Sequence, residues 1–387
     1  MLDDRALNRA LLARQHLLAR TGDDVPTVVE HLVGLQAQNP WSPFVGLWSR
    51  VEGFSTRDLD AALLARTVVR VAAMRSTVHL LTARDAPVLT ALARPVMTRE
   101  LTANPRRRAA WDVVDLDRLV ELAAAYVRSE PRVTTDLGAR LAQEWPAAHP
   151  QDLSAFARAL LPLVQVTPRG LWRHPAATTW TTLDAWLPEA AAGADLRDDE
   201  ARRCALETVV LRYLAAFGPA SVADVQAWSG LRGLREVVDG LRDRLLTLPA
   251  VPARPGGRTR ELLDLPDAPR PDADVPAPVR LLPDYDNVWL SHAQRSRVVD
   301  DAHRRALQTP NGRMPAAVLV DGSVRATWVL ERGRAGERGT RRTTATLTVT
   351  PLERLSPRER RDVLAEAERC VRFVADDADA HAVRYAG

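Results

Sequence analysis

Residues 205–265 read ALETVVLRYLAAFGPASVADVQAWSGLRGLREVVDGLRDRLLTLPAVPARPGGRTRELLDL. Ala205–Phe217 has the periodicity of a helix and stops at Gly218-Pro219, where proline has no N–H to carry a further turn. Ser221 is placed to cap a short helix over Val222–Trp228, its hydroxyl accepting a first-turn N–H. Gly230 makes the turn into a third helix, Leu234–Arg244. Leu245–Val251 and Arg260–Leu265 then alternate as strands around Pro255-Gly256-Gly257. Three helices and a two-stranded wing make a winged helix-turn-helix.

Working outward, two more stretches carry the same order. In the second, Asp117–Ser129 is helical, Thr134-Thr135-Asp136 caps a helix through Glu144, and Asp152–Leu161 is the third helix. Its wing is expected as Leu163–Thr167 and Leu171–His174 around Pro168-Arg169-Gly170. The first is less regular. Leu7–Arg20 and Pro26–Gln36 are expected as helices, Ser42–Ser49 as an extra helix, and Thr56–Ala65 as a helix capped by Ser55 or Thr56. Val68–Ala73 and Thr77–Thr82 are its wing strands. The third unit is followed by a Pro- and Asp-rich linker, Leu265–Val279. Beyond it lie strand-like segments at Val318–Val320, Arg325–Glu331 and Thr343–Thr350, then a closing helix over Pro357–Ala375 with Ser356 as cap.

The domains expected are therefore 1–110, 111–200 and 201–270 for the three winged helices and 279–387 for a β-rich domain. The fold class is mainly α with β wings. A length of 387 residues fits several domains, and 46% hydrophobic with 26% charged residues is a soluble globular balance. All 53 basic residues are Arg. That matches a GC-rich coding bias, and Arg forks also suit phosphate contacts. Two cysteines, Cys204 and Cys370, exclude a disulfide scaffold and a cysteine zinc site. No 18-residue apolar run exists, and Met1-Leu2-Asp3-Asp4 does not open a signal peptide, so a cytoplasmic protein is expected.

Much chemistry is absent. There is no phosphate-binding glycine loop, no H-E-x-x-H and no G-x-S-x-G. Eight dispersed histidines offer no metal-ligand spacing, so neither a metal nor a cofactor is expected.

Three clusters remain. Gly34-Leu35-Gln36-Ala37-Gln38-Asn39-Pro40 carries three side-chain amides, a pattern that equally solvates a helix end before proline. Leu281-Leu282-Pro283-Asp284-Tyr285-Asp286-Asn287, with Ser291-His292-Ala293-Gln294-Arg295-Ser296-Arg297, is either a hydrogen-bonded turn cluster or a surface facing a site. Arg332, Arg334, Arg338, Arg341 and Arg342 crowd a hairpin tip. A charge run is ordinarily a solvated face, but beside three modules of DNA-binding type a role on a DNA groove or backbone is the better expectation.

With Met74-Arg75-Ser76-Thr77-Val78-His79-Leu80 and the Val324–Leu330 strand, these clusters lie in order over nearly the whole chain. Together they resemble the bacterial tandem winged-helix (AlkZ-like) DNA glycosylases, a family that includes an azinomycin interstrand-crosslink glycosylase. The resemblance implies three winged helices curved into a C-shape and a C-terminal β-barrel-like domain. It implies hydrolysis by a Gln-x-Gln motif, here Gln36 and Gln38, in the form associated with self-resistance to a crosslinking natural product. The substrate implied is double-stranded DNA with an N7-alkylated guanine, handled by a monomer. Arg75, His292, Arg295, Arg297 and the hairpin arginines are then assigned to DNA, and Asn39, Asp284, Tyr285 and Asn287 to support of the site. His79 is either part of this set or a structural histidine paired with backbone.

Glutamine suits such a lesion. N7-alkylation leaves guanine cationic and already a good leaving group, so no strong general acid is required. An amide oxygen orients the attacking water and a second amide fixes the first. A crosslinked guanine is tethered to the other strand, which argues for a concave basic channel over a deep base-flipping pocket. Two other functions fit the composition. One is a non-enzymatic winged-helix DNA-binding protein or transcription regulator, which would not depend on Gln36 or Gln38. The other is a drug-sequestering protein whose tryptophans, among them Trp41, Trp48, Trp172, Trp180, Trp186 and Trp289, line a pocket, although scattered Trp more often serve the core.

Overall fold

A computed structural model describes residues 2–191, 196–251, 260–307, 312, 314–335 and 342–387. Helices start where the sequence supplies caps. Asp3 accepts the N–H of Ala6 at the head of Asp4–Arg14, and Asp24 that of Thr27 at the head of Val25–His31. Reciprocal capping boxes, Ser55 with Asp58, Ser221 with Asp224 and Ser356 with Glu359, open Thr56–Leu64, Val222–Ser229 and Pro357–Val374.

Six strands of the first half form one antiparallel sheet: β1 (Leu35–Gln36), β2 (Val68–Ala72), β3 (Val78–Thr82), β4 (Arg132–Val133), β5 (Leu163–Gln165) and β6 (Thr179–Thr182), in the order β1-β3-β2-β5-β6-β4. The strands of the first two units are thus fused through β2 and β5, with Arg70 opposite Gln165 and Val71 opposite Val164. This corrects the expected second wing. β5 pairs with Thr179–Thr182 rather than Leu171–His174. The turn at Gly170 is used differently: its φ is +96°, and a Cβ there would lie 2.5 Å from Arg70 Cδ. The loop is packed onto the sheet and does not return as a strand.

The third unit follows its reading closely. Helices Asp199–Phe217, Val222–Ser229 and Leu234–Gly240 precede the hairpin of β7 (Leu246–Ala250) and β8 (Arg260–Asp264). The expected turn Pro255-Gly256-Gly257 lies outside the described residues. The Asp4–Arg14 helix, six residues shorter than expected at its C-terminal end, packs on this unit. Arg14 makes a two-point ion pair with Asp264 at 2.7 and 2.9 Å, both side chains fully buried. Gln15 donates to the Ala216 carbonyl at 2.7 Å.

The C-terminal part is an open sheet, not the expected barrel. Its strands are β9 (Arg280–Leu282), β10 (Ala317–Val320), β11 (Ser323–Ala335), β12 (Arg342–Pro351) and β13 (Ala380–Tyr385). Their order is β13-β12-β11-β10-β9, and β13 does not meet β9. Pro357–Val374 lies against the sheet through buried Val363, Ala367, Cys370 and Val371. A helix therefore covers the face that closure into a barrel would have enclosed. One apolar cluster joins Leu11, Val71, Trp228, Trp289 and Leu319, so the first unit, the third unit and the C-terminal sheet share a core. Among the described residues no helix is long and apolar enough to cross a membrane, and no His, Cys, Asp and Glu group is arranged to hold a metal.

Candidate active site

Gln36 is not at a helix end as expected. The preceding helix stops at His31, and Leu35–Gln36 pairs with β3, Leu35 opposite Leu80 and Gln36 opposite His79. The Ala37 N–H extends the pairing to the Val78 carbonyl at 2.7 Å. Gln36 closes the strand and Gln38 follows in the bend after it, with Ala37 fully buried between them. Gly34 makes the bend possible. Its φ is +96°, and a Cβ would stand 2.3 Å from Leu81 Cδ2 and 3.0 Å from the Leu80 carbonyl oxygen. Gly34→Ala is expected to cost about 2–4 kcal/mol, combining left-handed strain with overpacking. A change under about 0.5 kcal/mol in denaturant unfolding would contradict this close approach.

The two amides are held unequally. Gln36 is buried, and its Oε1 accepts a hydrogen bond from Arg75 Nη2 at 2.9 Å. Gln38 is exposed, and its Oε1 accepts the Val78 N–H at a longer 3.4 Å. Arg75 and Ser76 both have positive φ, 54° and 60°, an uncommon conformation for non-glycine residues, at the turn between β2 and β3. This turn aims the guanidinium inward, where Nη1 also donates to the Trp228 carbonyl of the third unit. His79 Nδ1 donates to the Thr77 carbonyl at 3.0 Å, leaving Nε2 as the acceptor 3.5 Å from Arg75 Nη2. Burial, reinforced by the Arg75 charge, pushes the His79 pKa down to about 3. Burial and then the Arg295 charge bring Arg75 down to about 10, still cationic at neutral pH.

The support residues named from sequence converge here. Asn39 Nδ2 donates to Asp284 at 3.3 Å, Asn39 Oδ1 accepts the Trp41 N–H at 3.1 Å, and the Ser42 hydroxyl donates to Asp284. Asn287 Nδ2 donates to the Gly34 carbonyl at 2.8 Å. The 283–287 segment therefore grips the glutamine strand at both ends. Tyr285 bends it with a φ of 56°. Sequence reasoning missed what anchors the segment: Arg50 holds Asp286 with two 2.8 Å bonds, both side chains buried. The one available signal was a second aspartate inside the quoted motif.

The DNA assignments fare differently. His292 is buried and its Nε2 meets the Phe217 carbonyl at 3.0 Å. Arg297 is buried and donates to the Pro219 carbonyl at 2.9 Å. Both join the C-terminal part to the third unit from buried positions, whereas their expected place was on DNA. Arg75 likewise spends its donors on Gln36 and Trp228. Arg295 is half-buried and sends its charge toward Arg75. Arg332 pairs with Asp377 at 2.8 Å and donates to the Val374 carbonyl, holding the base of the hairpin to the end of the Pro357–Val374 helix. Arg342 is exposed. Arg334 lies in β11 by its backbone, and Arg338 and Arg341 lie outside the described residues.

Residues 29–373 match the family described as DNA glycosylase AlkZ-like, which spans the glutamine strand, the 283–287 clamp and the hairpin. The chain belongs to the AlkZ-like DNA glycosylase family. DNA glycosylases are hydrolases acting on N-glycosyl bonds. A curated relative from Streptomyces sahachiroi, described as an interstrand DNA cross-link repair glycosylase, is 25% identical over 334 residues, covering 82% of this chain and 85% of that protein. The solved structure of the Streptomyces sahachiroi DNA glycosylase AlkZ superposes with a TM-score of 0.75 at 21% identity, over 100% of both chains. That likeness establishes the shared fold.

Proposed function

We propose that this protein is a monofunctional glycosylase that hydrolyses the N-glycosidic bond of N7-alkylguanine in duplex DNA, and that it unhooks interstrand crosslinks or releases bulky adducts as a monomer. The helical units, read as winged helices, would hold the duplex. The observation that carries the reading is the pair of amides at the end of β1 and just beyond it, Gln36 held by Arg75 and Gln38 by the Val78 N–H, and bonded to no carboxylate among the described residues. Amides do not protonate a leaving group. They suit a base that carries its own positive charge. Exposed Gln38 is placed to orient water beneath the anomeric carbon, and Gln36, locked by Arg75, sets the face on which it works. The C1′–N9 bond breaks with its electron pair neutralising the purinium ring. Water supplies hydroxyl to C1′ and a proton to solvent.

No catalytic group then titrates near neutrality, since His79 lies at about 3 and Arg75 at about 10. Single-turnover release of N7-methylguanine is expected to vary less than about twofold between pH 6.5 and 9, because a group titrating in that window would produce a tenfold change per pH unit on one side of its pKa. A bell centred near 7 would overturn the amide mechanism. The same assay on a duplex bearing one N7-guanine interstrand crosslink tests the substrate: unhooked strands with an alkali-labile site are expected, and an intact crosslink would confine the enzyme to simple lesions.

A further inference from the structure

We infer that the cavity beside the glutamine strand is a subsite for a planar aromatic substituent carried on N7 of the guanine, an inference that rests on the glycosylase reading above. The cavity is about 750 Å³, within the range of small-molecule sites, and lies between the first two units and the C-terminal sheet. Its lining begins at Asn39, next to Gln38, and continues to Trp41, Trp172, Asp284, Tyr285 and Trp328. The cavity wall thus starts one residue from Gln38.

Three features select an aromatic occupant. Trp41 is 45% exposed although it is a large hydrophobic side chain, and its ring centroid is 6.1 Å from that of Trp172. Trp172 is itself rigid, packed on Phe44 at 4.8 Å and Phe373 at 5.9 Å. Trp328 is fixed by donation of its Nε1 to the Leu282 carbonyl at 2.9 Å. Rigid aromatic walls favour a flat ring that stacks against them. A methyl lesion uses none of this.

The test is single-turnover release from duplexes carrying N7-methylguanine, N7-benzylguanine or N7-(anthracen-9-ylmethyl)guanine, with the wild-type protein, Trp41→Ala and Trp41→Phe. The quantity read is the aryl-to-methyl rate ratio. The inference expects a wild-type ratio above one, a fall of about tenfold in Trp41→Ala, and recovery in Trp41→Phe. Methyl release with the aryl lesions refused, or a ratio unmoved by Trp41→Ala, overturns the subsite and leaves the glycosylase intact. Release of none of the three by the wild type overturns the glycosylase reading, and the subsite with it.

Discussion

Gln36→Ala combined with Gln38→Ala is expected to slow lesion release at least about 10³-fold while DNA binding stays within a few-fold. The size follows from what each amide does. Placing the nucleophile in register is worth several kcal/mol of a barrier, and loss of one preorganised hydrogen bond in an active site costs about 10²–10³ in rate. The singles are expected to differ. Gln38 is exposed and lightly held, so its removal takes the oxygen proposed to orient water and little else. Gln36 is buried on Arg75, so Gln36→Ala also strands a guanidinium donor beside His79. Part of the loss in that variant is unfolding free energy, and denaturant midpoints measured in parallel separate the two contributions. Equal rates in wild type and double variant, with DNA bound, would show that the two amides do not carry the catalysis.

Asp286→Ala is expected to lower stability by about 3–5 kcal/mol. Asp286 and Arg50 are buried together, and removal of the acid leaves a charge without compensation in the core. Asp286 also accepts the Val288 N–H at 3.1 Å, so a helix cap is lost as well. The matched replacement, Arg50→Met with Asp286→Leu, is expected to regain most of the loss, because burying two apolar side chains avoids the desolvation penalty of the pair. Urea unfolding of the single and the double variant gives the comparison directly. A single variant within 1 kcal/mol of wild type would mean that the pair is not what anchors the 283–287 clamp.

Acid lability follows from the same burial. His79 and His292 are both held near a pKa of about 3, chiefly by desolvation, whereas the unfolded chain binds their protons near 6.5. Their contribution to stability is therefore fully present above pH 6.5 and is lost as the pH falls toward 3.

The legible part of this molecule is the part written in local signals. Ser221, Gly218-Pro219 and Gly230 mark the ends of their helices within a few residues, and the third unit is built as they indicate. The glutamine strand could not be read this way. It is two residues long, follows a helical run, and is a strand only because β3 lies alongside, more than forty residues later. The second wing was misplaced for a similar reason: Pro168-Arg169-Gly170 is a sound turn, but β5 finds its partner beyond it. Long-range ion pairs were the other gap. Arg14 and Arg50 look like surface arginines until Asp264 and Asp286, more than two hundred residues away, make their burial tolerable. The burial of His292 and Arg297 was not legible either, because a buried polar seam and a DNA-facing patch draw on the same residue types.

Whether the two amides stand at the scissile bond is measured most directly by a crystal structure of the protein on a duplex carrying a cationic azasugar at one abasic position. The expected result is a water within hydrogen-bond distance of Gln38 Oε1 on the face of the sugar opposite the leaving base, with Gln36 still bonded to Arg75. A complex in which the azasugar lies beyond reach of Gln36 and Gln38 would contradict the account.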